Sequence, residues 1–265
     1  MSTPFLVLVK EGATPMAEQG LYQKPVRLNR FAHAGIRYTP PKNCMFCRTL
    51  TSVPLMGIEF PAACRQYPIV FVKTEGDALS AQTILSVQAE ENAFVDRQGQ
   101  WTATYVPAFI RRYPFVLAEI PGNPSDFDVA FDEASESFSP DYGEALFAED
   151  GQPTPVLKAQ IDFLRAMQLE HGRTQAFLKE LQSADLLIPR NIDIVRADKQ
   201  RFGVRNALVV DESRLASLTP AALQSFLAAG YLGWIFAHLI SLQCFLALAN
   251  RAGQPLEDIV PWWAK

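Results

Sequence analysis

The stretch Tyr105–Phe115 constrains the fold more closely than any other part of this 265-residue chain, because two prolines within it bracket its central residues. Pro107 suits the first turn of a helix, where its missing N–H removes no hydrogen bond. Pro114 disfavours helical dihedral angles at the residue that precedes it. The sequence therefore predicts a short helix of about one and a half turns between the two prolines.

Two consecutive arginines lie within the same stretch. At about 100° per residue, Arg111 and Arg112 share the side of the helix opposite its apolar residues. This arrangement predicts an apolar anchor beneath a paired cationic face that points toward the interior of the fold. Adjacent guanidinium groups repel each other unless negative charge joins them, and two sources of that charge remain open. One is a carboxylate of the same chain, and the other is a carboxylate or phosphate group of a ligand.

Charge and cysteine usage exclude several classes of protein. Lysine and arginine number 24 against 28 aspartates and glutamates, so the net charge of -4 creates no basic field, and we expect no nucleic-acid partner. The first ten residues have no basic leading region and an apolar run of only five residues, unlike a secretory signal. Four scattered cysteines fit a reducing compartment. We therefore expect a cytoplasmic protein.

Strand-like segments recur between residues 68 and 131 at spacings of about ten to fifteen residues, without long helices to act as crossovers. This spacing favours an antiparallel or mixed sheet. After residue 148, apolar residues recur mainly at helical spacing, interrupted by a hairpin-like pair at 192–210. The predicted class is α+β, with a mixed or mainly antiparallel sheet in the N-terminal half and a helical C-terminal half. We expect a sheet-rich region 1–148 and a helical region 149–265, packed as one continuous domain.

The segment Tyr231–Ala249 is apolar almost all the way round and approaches the roughly 20 residues that a membrane span needs. His238, Ser241 and Gln243 interrupt it, and no basic residue flanks its start as a membrane anchor. We interpret the segment as one buried apolar helix and expect no integral membrane insertion. A contact with a membrane surface is the alternative.

Common catalytic motifs are absent from the sequence, including G-x-G-x-x-G, the P-loop, H-E-x-x-H and G-x-S-x-G. Cys44 and Cys47 have the C-x-x-C spacing of metal and redox sites. A zinc site needs four ligands, however, and no second pair accompanies them. We interpret both cysteines as small, partly buried residues of a short helix, with metal or redox use as the alternatives, and we expect no metal or cofactor.

Several polar residues lie among hydrophobic neighbours and are candidates for lining a pocket. In one interpretation, Glu59 or Glu133 neutralises an arginine of the same chain; in the other, the polar residues surround an anion or a peptide. Asp126, Asp128, Asp132 and Glu133 lack the spacing and the central glycine of a calcium-binding loop and predict an exposed acidic loop, although Asp132 and Glu133, at the end of an apolar strand, are also candidates for lining the pocket. The candidate ligand-binding residues are Arg111, Arg112, Tyr105, Glu59, His33 and Glu133.

Several segments between about residue 24 and residue 250 match a known pattern, and Tyr105–Phe115 is the most specific of them. The others are Lys24–Arg30, His33–Gly35, Val53–Leu55, Glu59–Pro61, Asp132–Ser135, Phe147–Pro155, Val210–Glu212 and Gly233–Leu242. With these segments, the chain resembles the bacterial SapC family, which takes its name from a protein linked to surface layers. A membrane permease that shares the name is a different protein.

The resemblance implies a role but brings no catalytic residues with it. Related genes lie near genes for outer-membrane receptors and flavin-dependent halogenases, which implies a soluble accessory protein in the uptake or modification of a peptide or small molecule. The expected partners are a peptide or small anionic ligand and a protein of such a pathway. The alternative is a tailoring enzyme for a peptide or amino-acid-like substrate, with His33 or Glu59 as the general base.

Overall fold

The computed structural model describes residues 6–7, 21–74, 78–88, 90–120, 123–195 and 201–251. The contacts divide the chain into two compact units, each built from two separate stretches of sequence. Unit 1 contains residues 1–47 and 108–169, and unit 2 contains residues 48–107 and 170–265. The regions 1–148 and 149–265 differ in sequence pattern and stay a prediction. The two units are defined by contacts between residues, including residues distant in sequence.

The regular elements follow one another in this order along the chain. The strands are β1 (Leu6–Val7), β2 (Pro25–Arg27), β3 (Arg37–Tyr38), β4 (Ser52–Pro54), β5 (Ile69–Lys73), β6 (Leu79–Ile84), β7 (Phe115–Ile120), β8 (Asn123–Asp132), β9 (Phe138–Ser139), β10 (Glu144–Ala145), β11 (Leu187–Val195) and β12 (Arg201–Val210). The helices are α1 (Phe60–Ala63), α2 (Ala108–Arg111), α3 (Pro155–Ser183), α4 (Glu212–Ala216), α5 (Pro220–Ala228), α6 (Tyr231–Ser241) and α7 (Cys244–Arg251). Short 3-10 turns occupy Met45–Cys47 and Gly57–Glu59.

Unit 1 is built around a four-stranded sheet in the order β1-β7-β8-β2. Strands β7 and β8 form an antiparallel hairpin that sets Phe115 opposite Phe131, whereas β1 runs parallel to β7. A second, three-stranded sheet has the order β10-β3-β9. The inward residues of β7 and β8 and the first turns of α3 share one hydrophobic core, which consists of Tyr38, Phe115, Leu117, Phe131, Leu146, Leu157 and Leu164.

Unit 2 contains a five-stranded antiparallel sheet in the order β11-β12-β5-β6-β4. Helix α6 packs against α1 and against strands β5 and β12. The rings of Phe60, Phe71, Phe177 and Trp234 contact one another in this core. The α+β class is confirmed, and the predicted hairpin at residues 192–210 corresponds to β11 and β12.

The single apolar helix predicted for Tyr231–Ala249 is wrong in two respects. The segment forms two helices, α6 and α7, because hydrogen bonds to the residue three positions back replace the α-helical pattern at Leu242 and Gln243. Its outer face is also exposed: Phe236 and Ile240 keep more than half of their surface in contact with solvent. Among the described residues no helix could cross a membrane alone by length and apolarity, and α5 and α6 meet that test only jointly, with a bend of 89°.

The polar residues of α6 point into the core of unit 2. The Val210 N–H donates to Nε2 of His238 at 3.1 Å, so the proton of the neutral ring lies on Nδ1, which donates to the Ile69 carbonyl at 2.8 Å. Ser241 Oγ accepts a hydrogen bond from the Ile69 N–H at 2.9 Å. Burial lowers the pKa of His238 to about 4. These bonds tie α6 to β5 and β12, and the imidazole must be neutral to make both of its bonds.

Acidification is expected to destabilise the fold through its buried histidines. Burial lowers the pKa of His171, like that of His238, from 6.5 to about 4, so the unfolded chain takes up protons first as the pH falls. Stability is fully present above pH 6.5 and declines toward pH 4, and a change from about pH 7 to about pH 5 should cost about 2 kcal/mol per histidine. Urea denaturation at both pH values measures this loss.

The variant His238→Phe separates the contribution of this ring from that of His171. At neutral pH it should be less stable by about 2–4 kcal/mol, because the Val210 N–H and the Ile69 carbonyl lose a buried partner. It should also lose roughly half of the acid sensitivity between pH 7 and pH 5. If His238→Phe lost as much unfolding free energy between pH 7 and pH 5 as the wild-type protein, His238 would not contribute to the acid sensitivity.

Candidate functional site

The proline-bracketed stretch forms the predicted short helix. Helix α2 covers Ala108–Arg111, and its residues Ala108, Phe109 and Ile110 are buried. The N–H of Arg112 donates to the Ala108 carbonyl at 3.0 Å and closes the turn. The chain then passes through a cis peptide bond between Tyr113 and Pro114 into strand β7. The prediction of a short helix with an apolar anchor is therefore confirmed.

The prediction of a paired cationic face is wrong. Arg111 is exposed, whereas only 2% of the surface of Arg112 is accessible. The helix ends at Arg111, and the next hydrogen bonds, from Tyr113 N–H to the Ile110 carbonyl and from Phe115 N–H to the Arg112 carbonyl, belong to a tight turn. Because the backbone turns there, consecutive arginines enter different environments.

Arg112 packs among aromatic and aliphatic side chains inside unit 1. Its guanidinium carbon lies 4.2 Å from the ring centroid of Phe109 and 5.8 Å from that of Tyr22. The side chain also borders a cavity of about 10 Å³, which offers room for about one water molecule. Oε1 of Gln168, which also borders this cavity, is buried and has no hydrogen-bond partner among the residues that the structure describes. The remaining walls are Leu117, Leu164 and Met167. The cavity can hold a water molecule but not a peptide or metabolite.

Arg111 lies on the surface of unit 1. Its guanidinium carbon is 5.1 Å from the ring centroid of Phe163 on α3. Stacking on an aromatic ring restrains the side chain while the N–H donors at the edge of the guanidinium plane keep the geometry that suits a carboxylate or phosphate. Of the two arginines, Arg111 is therefore the one that a molecule in solution can reach.

Glu59 and Tyr105 belong to unit 2 and bond to each other. Only 4% of Glu59 is exposed; its Oε1 accepts from the Tyr105 hydroxyl at 2.7 Å, and its Oε2 accepts from the Met56 N–H at 3.0 Å. The carbonyl oxygen of Tyr105 accepts from Trp101 Nε1 at 3.0 Å and from the Tyr67 hydroxyl. Both oxygens of Glu59 thus hold the 3-10 turn and the Tyr105 ring in place, which is a positioning role.

His33 and Glu133 belong to unit 1 and also have defined partners. Nδ1 of His33 accepts from the Asn29 N–H at 2.9 Å, so the neutral ring carries its proton on Nε2 and has no free basic nitrogen. The edge of the ring packs against Phe131, with centroids 5.1 Å apart. Glu133 pairs with Lys24 at 2.5 Å on the surface, and the hydrogen bond from the lysine lowers the pKa of Glu133.

Asp132 ends an apolar strand, and this position made it a candidate for lining a pocket; the structure shows that it bonds to the backbone instead. Its carboxylate is fully buried rather than in an exposed acidic loop, so that prediction is wrong at this position. The oxygens accept from the N–H groups of Gln23 and Lys24 at 3.0 and 2.7 Å and from the Tyr113 hydroxyl at 3.2 Å. A third N–H, from Ala134, lies at 3.3 Å. The one local signal is an aspartate at a strand end followed by a turn, where its side chain can bond the backbone two residues on.

The chemistry-bearing side chains do not form a metal site in the part of the chain that the structure describes: no three histidine, cysteine, aspartate or glutamate residues converge as ligands. The profile of the family described as SapC matches residues 28–248. The chain belongs to the SapC family. No curated protein and no solved structure matches it. Most of both units therefore lies inside the SapC match, including α2, Arg111 and Arg112.

The different environments of the two arginines predict different effects on stability. Arg112→Met should lower the free energy of unfolding by about 2–4 kcal/mol, because it removes a buried, ring-stacked guanidinium. Arg111→Met should change it by no more than about 1 kcal/mol, the magnitude of an exposed cation–π contact. The two variants are matched in chemistry and adjacent in sequence, and urea denaturation compares them directly. Equal losses would contradict the assignment of Arg112 to the core.

Proposed function

We propose that this SapC-family protein is a non-catalytic accessory protein that binds a peptide or small anionic molecule, with Arg111 as its anion contact. The observation that carries the proposal is the placement of the Arg111 guanidinium on the surface, stacked on Phe163. A guanidinium held in this way can bind a carboxylate through two parallel hydrogen bonds. We also propose the cytoplasm as its location.

Arg112 supports the same site from beneath. Its contacts with Phe109 and Tyr22 connect the end of α2 to the interior of unit 1. Helix α2 is only four residues long, so its orientation depends on such packing rather than on its own hydrogen bonds. Arg112 is therefore a positioning residue, and the orientation of Arg111 follows from it.

The other candidate residues enter the proposal as structural support. Glu133 and Lys24 pair on the surface of unit 1, and His33 bonds to the backbone of its own loop. Glu59 and Tyr105 bond to each other within unit 2. The tailoring-enzyme alternative needs a free base, but Nδ1 of His33 and both oxygens of Glu59 already accept hydrogen bonds. The described contacts therefore favour binding over catalysis by these residues.

Calorimetric titration with short peptides tests the anion contact. The probes are N-acetylated tripeptides with a free C-terminal carboxylate, the same peptides as C-terminal amides, and inorganic phosphate. We expect the carboxylate peptides to bind and the amides to bind at least about tenfold more weakly, since a charge-assisted pair contributes about 1.5–3 kcal/mol. Binding of phosphate alone would identify a small anion rather than a peptide as the ligand class.

Variants of Arg111 decide whether this residue makes the contact. Arg111→Met should weaken carboxylate binding at least about tenfold without loss of stability, and Arg111→Lys should have an intermediate effect because it keeps the charge but not the planar pair of donors. Unchanged binding in Arg111→Met would place the anion elsewhere. Absence of binding by the unchanged protein to every probe would overturn the proposal.

A further inference from the structure

The cysteines of the C-x-x-C pair face the same side of a tight turn. The N–H of Cys47 donates to the Cys44 carbonyl at 3.1 Å, and this bond between residues three positions apart is characteristic of a 3-10 turn. In such a turn, side chains three positions apart eclipse each other. The two side chains therefore lie on one side of the backbone, and a hydrogen bond joins them.

The environments of the two thiols differ in the way that thiol–disulfide exchange requires. Cys47 is fully buried, and its Sγ donates to the Cys44 carbonyl at 3.1 Å, whereas Cys44 is only partly buried. A hydrogen bond between the two side chains lowers the pKa of the Cys44 thiol and raises that of Cys47. Cys44 is thus the accessible nucleophile and Cys47 the protected partner.

Neighbouring contacts fix the turn independently of the sulfur atoms. Oδ1 of Asn43 accepts from the Met45 N–H at 3.1 Å and caps the start of the turn. The Phe46 ring stacks on Tyr113, with centroids 4.1 Å apart and an interplanar angle of 14°. A change in the bonding of the two thiols therefore leaves the anchors of the turn in place.

We propose that Cys44 and Cys47 form a reversible disulfide that exchanges with the disulfide of a small thiol or of another protein. The Cys44 thiolate attacks one sulfur of the partner disulfide, forming a mixed disulfide and releasing the first partner thiolate. The Cys47 thiol then loses its proton and attacks the Cys44 sulfur, releasing the second. The protein dithiol is oxidised by two electrons, and the partner disulfide is reduced to two thiols, with protons supplied by the two cysteines.

The remaining cysteines provide an internal comparison. Cys244 Sγ donates to the Cys64 carbonyl at 3.2 Å, although the two residues are distant in sequence. Burial raises the pKa of both thiols, to about 11 for Cys244. Thiols with raised pKa values contain little thiolate at neutral pH and react slowly. We therefore expect oxidation at the 44–47 pair before the 64–244 pair.

Oxidised glutathione serves as the probe of the full-length, fully reduced protein. We expect the mass to fall by two hydrogen atoms, and peptide mapping should find a Cys44–Cys47 link. Cys47→Ser should accumulate one glutathione on Cys44, because the second attack is blocked. Cys44→Ser should react at least about tenfold more slowly. The double variant Cys64→Ser, Cys244→Ser should oxidise like the unchanged protein.

Alkylation of the unchanged protein gives a readout that needs no variant. With limiting iodoacetamide, Cys44 should be modified at least about tenfold faster than Cys64 or Cys244. A Cys64–Cys244 link as the oxidation product, equal alkylation of all four thiols, or a Cys47→Ser protein that gains no glutathione would each overturn the proposal. This test is independent of Arg111 and of peptide binding.

Discussion

The buried carboxylate of Asp132 makes the hydrogen bonds on which the two candidate sites of unit 1 depend. Its oxygens join the end of strand β8 to the chain before β2 and to the hydroxyl of Tyr113, which directly follows the arginines. The Tyr113 ring in turn stacks on Phe46, between the two cysteines of the turn. One carboxylate therefore connects the segment that carries Arg111 with the segment that carries Cys44. A buried acceptor of this kind is stable because several donors converge on it, three of them from the backbone.

Local sequence signals predicted the elements that local chemistry determines. Strand β7 begins directly after Pro114, which disfavours helical dihedral angles at the residue before it, and the residues of β7 favour extended backbone. Helix α3 begins at Pro155, which follows a threonine and suits the first turn of a helix. Helix α3 continues through Gly172, because one glycine within a long helix costs only about 1 kcal/mol. The short helix α2 was predictable for the same local reasons as β7.

The buried polar residues differ from the sequence-based expectations because many of their contacts come from residues distant in sequence. His238 interrupts an apolar segment, and hydropathy alone does not indicate which groups its ring nitrogens bond to. In the folded chain its two nitrogens bond to β5 and β12, partners that no window of sequence around α6 contains. Arg112 and Asp132 are also buried because of contacts made in the folded chain. Aromatic rings surround the guanidinium of Arg112, and hydrogen-bond donors surround the carboxylate of Asp132. Hydrophobic periodicity identifies which residues can be buried, but the partners of a buried polar group come from topology.

A common pattern links the two candidate sites of unit 1. In each, a buried residue stands beside a more accessible residue of the same type: Arg112 beside Arg111, and Cys47 near Cys44. The buried residue contacts the core and fixes the backbone, so its polar group serves the fold and not a ligand. The accessible residue of each pair is held in a defined position by its buried neighbour and still contacts solvent. Ligand binding and thiol–disulfide exchange require both properties. A polar residue among apolar neighbours is therefore weak evidence for a functional site until its partners are known. In both pairs the candidate for function is the solvent-accessible residue, Arg111 or Cys44.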